Sequence, residues 1–258
     1  MTLEPSSPFF SRLKADFDAG AFHWVGEFSD FALGYITFAS TLLAHVHDTH
    51  AMPVGAVVIG DTSSGKTELS NSLMKLFPKN HVIHVTSLSA KSLVYRCIDE
   101  PDCLHGKVIF VEELSGLKNE DLQYMLRILV TRGEVRHVTA IGGKPTEIFV
   151  KGHISLQTTG LPGDRLRDDT MNRLVTIKSD SSAAVTIKVI ERIKDRYGKS
   201  KNQDAVTLKW YQDFYKGLEP RRVFIPFAAD LPLSATKPRA SKNRILLTPF
   251  LAHNLASV

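Results

Sequence analysis

Cysteine is almost absent from this chain: across 258 residues only Cys97 and Cys103 occur, and they form no C-x-x-C pair. A structural zinc site needs four closely spaced ligands, so these two thiols and the nearby His105 do not make one. A disulfide framework is excluded in the same way, and reduced thiols are the expectation. Long apolar runs are absent too, and none approaches the ~20 residues that cross a bilayer. The opening "MTLEPSSPFFSRLKADFD" mixes charges with prolines and does not read as a signal peptide. A soluble, cytoplasmic protein without a membrane partner is therefore expected. Internal repeats and low-complexity tracts are missing, which excludes solenoids and biased disordered segments. An acidic excess is missing as well: the net charge is +5 and the pI about 9.1. That balance mildly favours a polyanionic partner.

What is present is an ordinary globular composition, 43% hydrophobic and 23% charged, enough for one large domain with or without an appendage. "DFALGYITFASTLLAHVHD" spaces its apolar residues for a largely buried helix, with His45, His47 and His50 at its end favoured by the helix dipole. "VGAVVIG" is a short buried strand, and "KTELSNSLMKLFP" a helix with Leu69, Leu73 and Leu76 on one face. "HVIHVTSL" and "GKVIFVEEL" read as further strands, with the helix "AKSLVYRCI" between them. "NEDLQYMLRILVTRG" has acids in its first turn and a closing Gly133. Two strands then flank the turn Gly142-Gly143, and "TEIFVKGHISLQTTG" runs on into a third. Alternating strands and helices predict a three-layer α/β/α sandwich with a largely parallel sheet. Two helices follow from residue 183, then a polar stretch that includes "KPRASKNR", best read as a flexible basic linker.

Chemistry enters at Gly60–Thr67, "GDTSSGKT", which fits G-x-x-x-x-G-K-[ST] between a predicted strand and a predicted helix. Backbone N–H groups of Gly60, Asp61, Thr62, Ser63, Ser64 and Gly65 would turn inward on phosphates. Lys66 would reach the outer phosphates, and the Thr67 hydroxyl would hold Mg²⁺. Glu112 and Glu113 close the apolar run "VIFV", where no core would hold two acids without a task. Glu112 suits a second Mg²⁺ ligand and Glu113 a base for the attacking water, the alternative for Glu113 being a cap of the next turn. At the end of "ISLQTTG", Thr158 or Thr159 would orient that water, and spacing does not choose between them.

Together the motifs resemble an AAA+ ATPase module, and more narrowly the helicase part of phage and mobile-element primase–helicase proteins. The stretches that carry the resemblance are "GYITFASTLLAHV", "PVGAVVIGDTSSGKTELSNSLMKLFP", "TSLSAKSLVY", "LHGKVIFVEELSG", "LRILVTRGEV", "TTGLPGDRLRDDTMNRLVTI" and "RRVFIPFAADL". They cover about residues 35 to 230. The resemblance implies an N-terminal segment at 1–34, an AAA+ ATPase core at 35–182, a helical lid region at 183–230, and a basic linker and tail at 231–258. It implies a ring, usually of six subunits, with ATP at each interface and an arginine supplied by the neighbour. Arg173 matches that arginine best; Arg165 and Arg167 are near alternatives, and Arg173 could instead pair with Asp168 or Asp169. Lys188 and Arg192 are equal candidates for the lid's phosphate sensor. No primase domain precedes this module and no winged-helix domain follows it, so a stand-alone relative or a shortened form is expected.

In related ring helicases a β-hairpin inserted before the sensor strand enters the central pore. "EVRHVTAIGGKPTEIFVKG" stands there, with Lys144 at its tip and Arg136, His137 and Lys151 on its arms. A lysine so placed meets a sugar–phosphate backbone without reading sequence. The leading expectation is therefore an ATP-driven motor on DNA, single-stranded in the ring pore. The runner-up is an ATPase that remodels a protein partner or loads it onto DNA. A P-loop kinase is third, disfavoured by the helical C-terminal region and by Arg173.

Overall fold

The computed structural model describes residues 8–45, 52–197 and 202–219. His47, His50, "RRVFIPFAADL" and "KPRASKNR" lie outside the described residues. Two helices, α1 (Pro8–Asp18) and α2 (Phe28–Ala39), precede the first strand, β1 (Gly55–Ile59). There follow α3 (Lys66–Lys75), β2 (Val82–Val85), α4 (Ala90–Arg96), β3 (Val108–Val111) and α5 (Glu120–Thr131). A hairpin of β4 (Glu134–Ile141) and β5 (Lys144–Lys151) is inserted before β6 (Ser155–Gly160). The short α6 (Asp168–Met171), β7 (Leu174–Lys178), α7 (Ala183–Tyr197) and α8 (Asn202–Lys216) complete the order.

The main sheet has five parallel strands in the order β2-β3-β6-β1-β7. All four residues of β3 are buried, as expected of a strand covered on both faces. β2 is only partly buried because it forms the sheet edge. Alternation along β1 and β3 divides the core in two. Val57, Ile109, Val111 and Leu156 pack with α4, α5 and the foot of the hairpin. Ala56, Val58, Val108 and Ile177 pack with α1, α2, α3 and α8. Helices therefore cover both faces of a parallel sheet, the three-layer α/β arrangement.

The chain ahead of β1 is deeply embedded in this second cluster. Phe9 stacks on Phe214 of α8 at 4.6 Å between ring centroids, and Phe22 meets Tyr211 edge-on at 5.5 Å. The Tyr211 hydroxyl donates to Asp16 Oδ2 (2.7 Å), while the Arg12 guanidinium lies 3.8 Å over the Trp210 ring. Residues 8–34 and α8 thus close one face of the sheet jointly. On α7, Ile187, Ile190 and Ile193 stay roughly half exposed. No helix among the described residues is long and apolar enough to cross a membrane.

At the far end of α8, Tyr215, Thr41 and His81 form a buried polar knot: His81 Nε2 lies 3.0 Å from Thr41 Oγ1 and 3.1 Å from the Tyr215 hydroxyl. Burial, reinforced by the Lys107 charge, pushes the His81 imidazole down to about 4 from 6.5. Between those values the unfolded chain takes up a proton that the folded one refuses, so stability falls as pH falls through that window. The shift corresponds to about 3 kcal/mol. Burial also lowers His45, His105 and His153, which act in the same direction. Urea midpoints should drop steadily from pH 7 to pH 4.5, and His81→Gln should flatten part of that slope. A pH-independent midpoint would contradict the assignment.

Candidate phosphate-binding site

The loop between β1 and α3 is built on backbone conformations that its sequence permits. Gly65 precedes α3 at φ +83°, and Ser63 also takes a positive φ of 63°. Gly60 must lack a side chain: a Cβ there would stand 2.5 Å from Ser64 Oγ and 2.9 Å from the Ser179 carbonyl. The Lys66 ammonium donates to the carbonyls of Gly60 (2.8 Å) and Asp61 (2.6 Å), spanning the loop. The Ser64 hydroxyl is buried with no hydrogen-bond partner. A side-chain-free cradle, a buried free hydroxyl, a fixed ammonium and the amino end of a ten-residue helix together fit a phosphate group.

Neighbouring strands brace this loop in a way the sequence alone does not signal. Ser179, just past β7, donates its hydroxyl to the Ser64 carbonyl (2.5 Å), and Ser181 donates to Asp61 Oδ2 (2.9 Å). Beneath the loop lies Trp24, whose Nε1 would be 3.5 Å from a Cβ on Gly65. Beside Trp24, a cleft of ≈ 350 Å³ is lined by Phe17, Asp18, Val25, Gly26, Lys188, Glu191 and Arg192. Both candidate sensors on α7 therefore border one cleft. Arg192 also donates to the Phe17 carbonyl (3.4 Å).

The two acids after β3 point in different directions. The chain bends at Glu112, just past the end of β3, and is extended again at Glu113 (φ −136°, ψ 146°). Glu112 turns to the edge strand, where the His84 ring lies 5.0 Å from that of Phe110. Glu112 Oε1 lies 3.0 Å from His84 Nε2 on the edge strand, a partner the sequence reading missed. Register could have exposed it, since His84 pairs with Phe110 two residues before Glu112. Glu113 is exposed and its Oε2 accepts the Ser115 hydroxyl (3.0 Å). Thr67, at the start of α3, is exposed as well.

Strand register separates the two threonines. Thr158 aligns with Val57 and Val111, on the α5 side. Thr159 aligns with Val58, on the α3 side, and its hydroxyl donates to the Glu112 carbonyl (2.5 Å). Thr159 is thus the threonine that shares a sheet face with α3.

A family model described as the MTBMA_p00010 P-loop domain matches residues 33–217. The chain belongs to that P-loop domain family. Comparison with curated proteins finds no match. Membership fixes the fold as a P-loop α/β sandwich, and the stretch at Gly60–Thr67 carries the G-x-x-x-x-G-K-[ST] signature of that fold.

Around this P-loop domain two basic features stand apart. Arg173 is exposed, and no carboxylate among the described residues pairs with it. Asp169 is paired instead with Arg127 and, at 3.7 Å, with Arg167. Partial burial and then the Arg127 charge lower the Arg173 guanidinium from its usual value, though an arginine remains charged at any physiological pH. Arg165 is exposed too. The hairpin springs from the amino end of β6, whereas the P-loop caps the carboxyl end of β1. Gly142 and Gly143 take φ values of +59° and +78°, with open space around both, as a two-residue hairpin turn requires. Lys144 is exposed at that tip. On one arm Arg136 donates to Glu134 Oε1 (2.9 Å) and lies over Phe149, and Lys151 is paired in register with Glu134. Glu134 thereby offsets charge at Arg136, leaving Lys144 as the more available cation. No cluster of three or more His, Cys, Asp or Glu side chains among the described residues is arranged to hold a metal ion.

Proposed function

We propose that this P-loop domain hydrolyses ATP and uses it to move along single-stranded DNA as one subunit of a ring, most simply a hexamer, in the manner of a helicase. The observation that carries the reading is the hairpin inserted between α5 and β6, with an exposed Lys144 on its two-glycine tip. A mobile-element or phage replication role follows from the sequence resemblance alone.

In this reading the phosphates lie across the amino end of α3, and Lys66 exchanges the Gly60 and Asp61 carbonyls for phosphate oxygens. The base and ribose enter the cleft between the Val25-Gly26 segment and α7, near Lys188 and Arg192. Thr67 and Glu112 would hold Mg²⁺; two protein oxygens suit an ion that keeps water and phosphate in its shell. When bound, the ion neutralises phosphate charge. Glu113 removes the proton from the water that attacks the γ-phosphorus, ADP leaves, and Thr159 helps orient that water. Arg173 from a neighbouring subunit would face the γ-phosphate, since no carboxylate among the described residues of its own chain neutralises it.

A second reading, an ATPase acting on a protein partner, has one observation in its favour: Val138, midway along β4, is 66% exposed. Steady-state ATPase rates with and without single-stranded DNA, on wild type and Lys144→Ala, separate the two. Several-fold stimulation at low salt that disappears in Lys144→Ala is the expected result. Robust hydrolysis indifferent to DNA in both proteins would overturn the motor reading and favour the partner ATPase.

A further inference from the structure

Between α4 and β3 the chain brings its two cysteines together. Cys97 terminates α4 and is buried in the α4/α5 core, 1% exposed, while Cys103 sits partly exposed in the turn that follows. Their sulfurs are 2.7 Å apart, about 0.7 Å from the bonded separation and inside ordinary non-bonded contact. No further thiol exists in the chain to compete. The same turn supports the foot of the hairpin. Lys151 N–H donates to the Pro101 carbonyl (2.9 Å) and Gly106 N–H to the His153 carbonyl (3.0 Å). Gly152 packs so closely on His105 that a Cβ there would lie 2.5 Å from its backbone.

We propose that Cys97 and Cys103 form a reversible redox modification site, a dithiol that exchanges with a small disulfide such as oxidised glutathione and, once closed, stiffens the hairpin foot. The accessible Cys103 attacks first: its thiolate bonds to one glutathione sulfur, the glutathione S–S bond breaks, and one glutathione thiolate leaves and takes up a proton. Cys97, once deprotonated, attacks Cys103 Sγ and displaces the second glutathione. Two protein thiols are oxidised and one glutathione disulfide is reduced, so atoms and electrons balance. Burial pushes the Cys97 thiol up, which makes the closing step the slower one and gives the mixed disulfide on Cys103 a lifetime. The site stands whether or not the hairpin meets DNA.

The test incubates the full chain with oxidised glutathione, blocks remaining thiols with an alkylating reagent, and reads intact mass. Wild type should lose both alkylatable thiols and two hydrogens, with no glutathione retained. Cys97→Ser should instead hold one glutathione on Cys103, and Cys103→Ser should stay reduced. Hydrogen exchange at the Lys151 amide should slow by roughly tenfold in the oxidised protein, below the chain-entropy limit for so short a loop. Dithiothreitol should reverse both changes. Wild type that keeps two free thiols, or ends as a stable glutathione adduct or a disulfide-linked dimer, would overturn the proposal. Closure without any change at Lys151 would overturn its link to the hairpin.

Discussion

Replacing Lys66 with alanine should reduce ATP affinity by about 10²-fold to 10⁴-fold. The expectation rests on where the ammonium is held: its two hydrogen bonds to the Gly60 and Asp61 carbonyls fix it over the loop rather than in solvent. Hydrogen bonds to charged groups are worth about 1.5–3 kcal/mol each, and two phosphate contacts give the stated range. The fold should survive, since alanine is the strongest helix former and position 66 opens α3 without filling the core. Calorimetric titration with ATP measures the loss, and near-ultraviolet circular dichroism checks that Trp24 packing is intact. Affinity within threefold of wild type would mean that the nucleotide is held elsewhere.

Glu113→Gln should leave ATP binding nearly unchanged and slow hydrolysis by about 10²-fold to 10⁴-fold, the usual worth of a positioned general base. Glutamine keeps the length and one acceptor of the glutamate, so the Ser115 hydrogen bond at 3.0 Å can persist. What it loses is the ability to take a proton. Glu112→Gln provides the contrast, because Glu112 lies against the His84 imidazole and not the Ser115 hydroxyl. That variant should raise the Mg²⁺ concentration needed for half-maximal rate more than it alters the rate at saturating Mg²⁺. Normal hydrolysis by Glu113→Gln would transfer the base role to another group.

These three variants probe the P-loop chemistry, and Lys144→Ala probes what that chemistry drives. The sites lie at opposite ends of the central strands, so a DNA effect on ATPase rate has to cross the sheet. Two connections run between those ends. β6 begins beside the hairpin foot and carries, next to its far end at Gly160, Thr159, whose hydroxyl donates to the Glu112 carbonyl. α5 runs from the turn after Glu113 back to Gly133 at the same foot. A hairpin displaced by DNA would therefore press on elements that carry the acids.

Much of this was written in local sequence. Glycine spacing and a lysine between a strand and a helix determined the P-loop, because only certain residues allow those backbone conformations. Apolar runs separated by amphipathic segments determined a parallel sheet with helices on both faces. The double glycine at 142–143 determined a tight hairpin, since both residues need positive φ. Tertiary structure decided what depends on lateral register and on contacts distant in sequence. Thr158 and Thr159 are equivalent in one dimension and fall on opposite faces only when β6 is laid beside β1 and β3. His84 reaches Glu112 because two parallel strands align them. Phe9 meets Phe214 because α1 and α8 share a sheet face, which no periodicity within either helix can specify. Cys97 and Cys103, which form no C-x-x-C pair in the sequence, come together because the helix end and the following turn fold back on one another. Local spacing fixes backbone conformation and the direction of each side chain; which groups finally meet is set by how the layers pack.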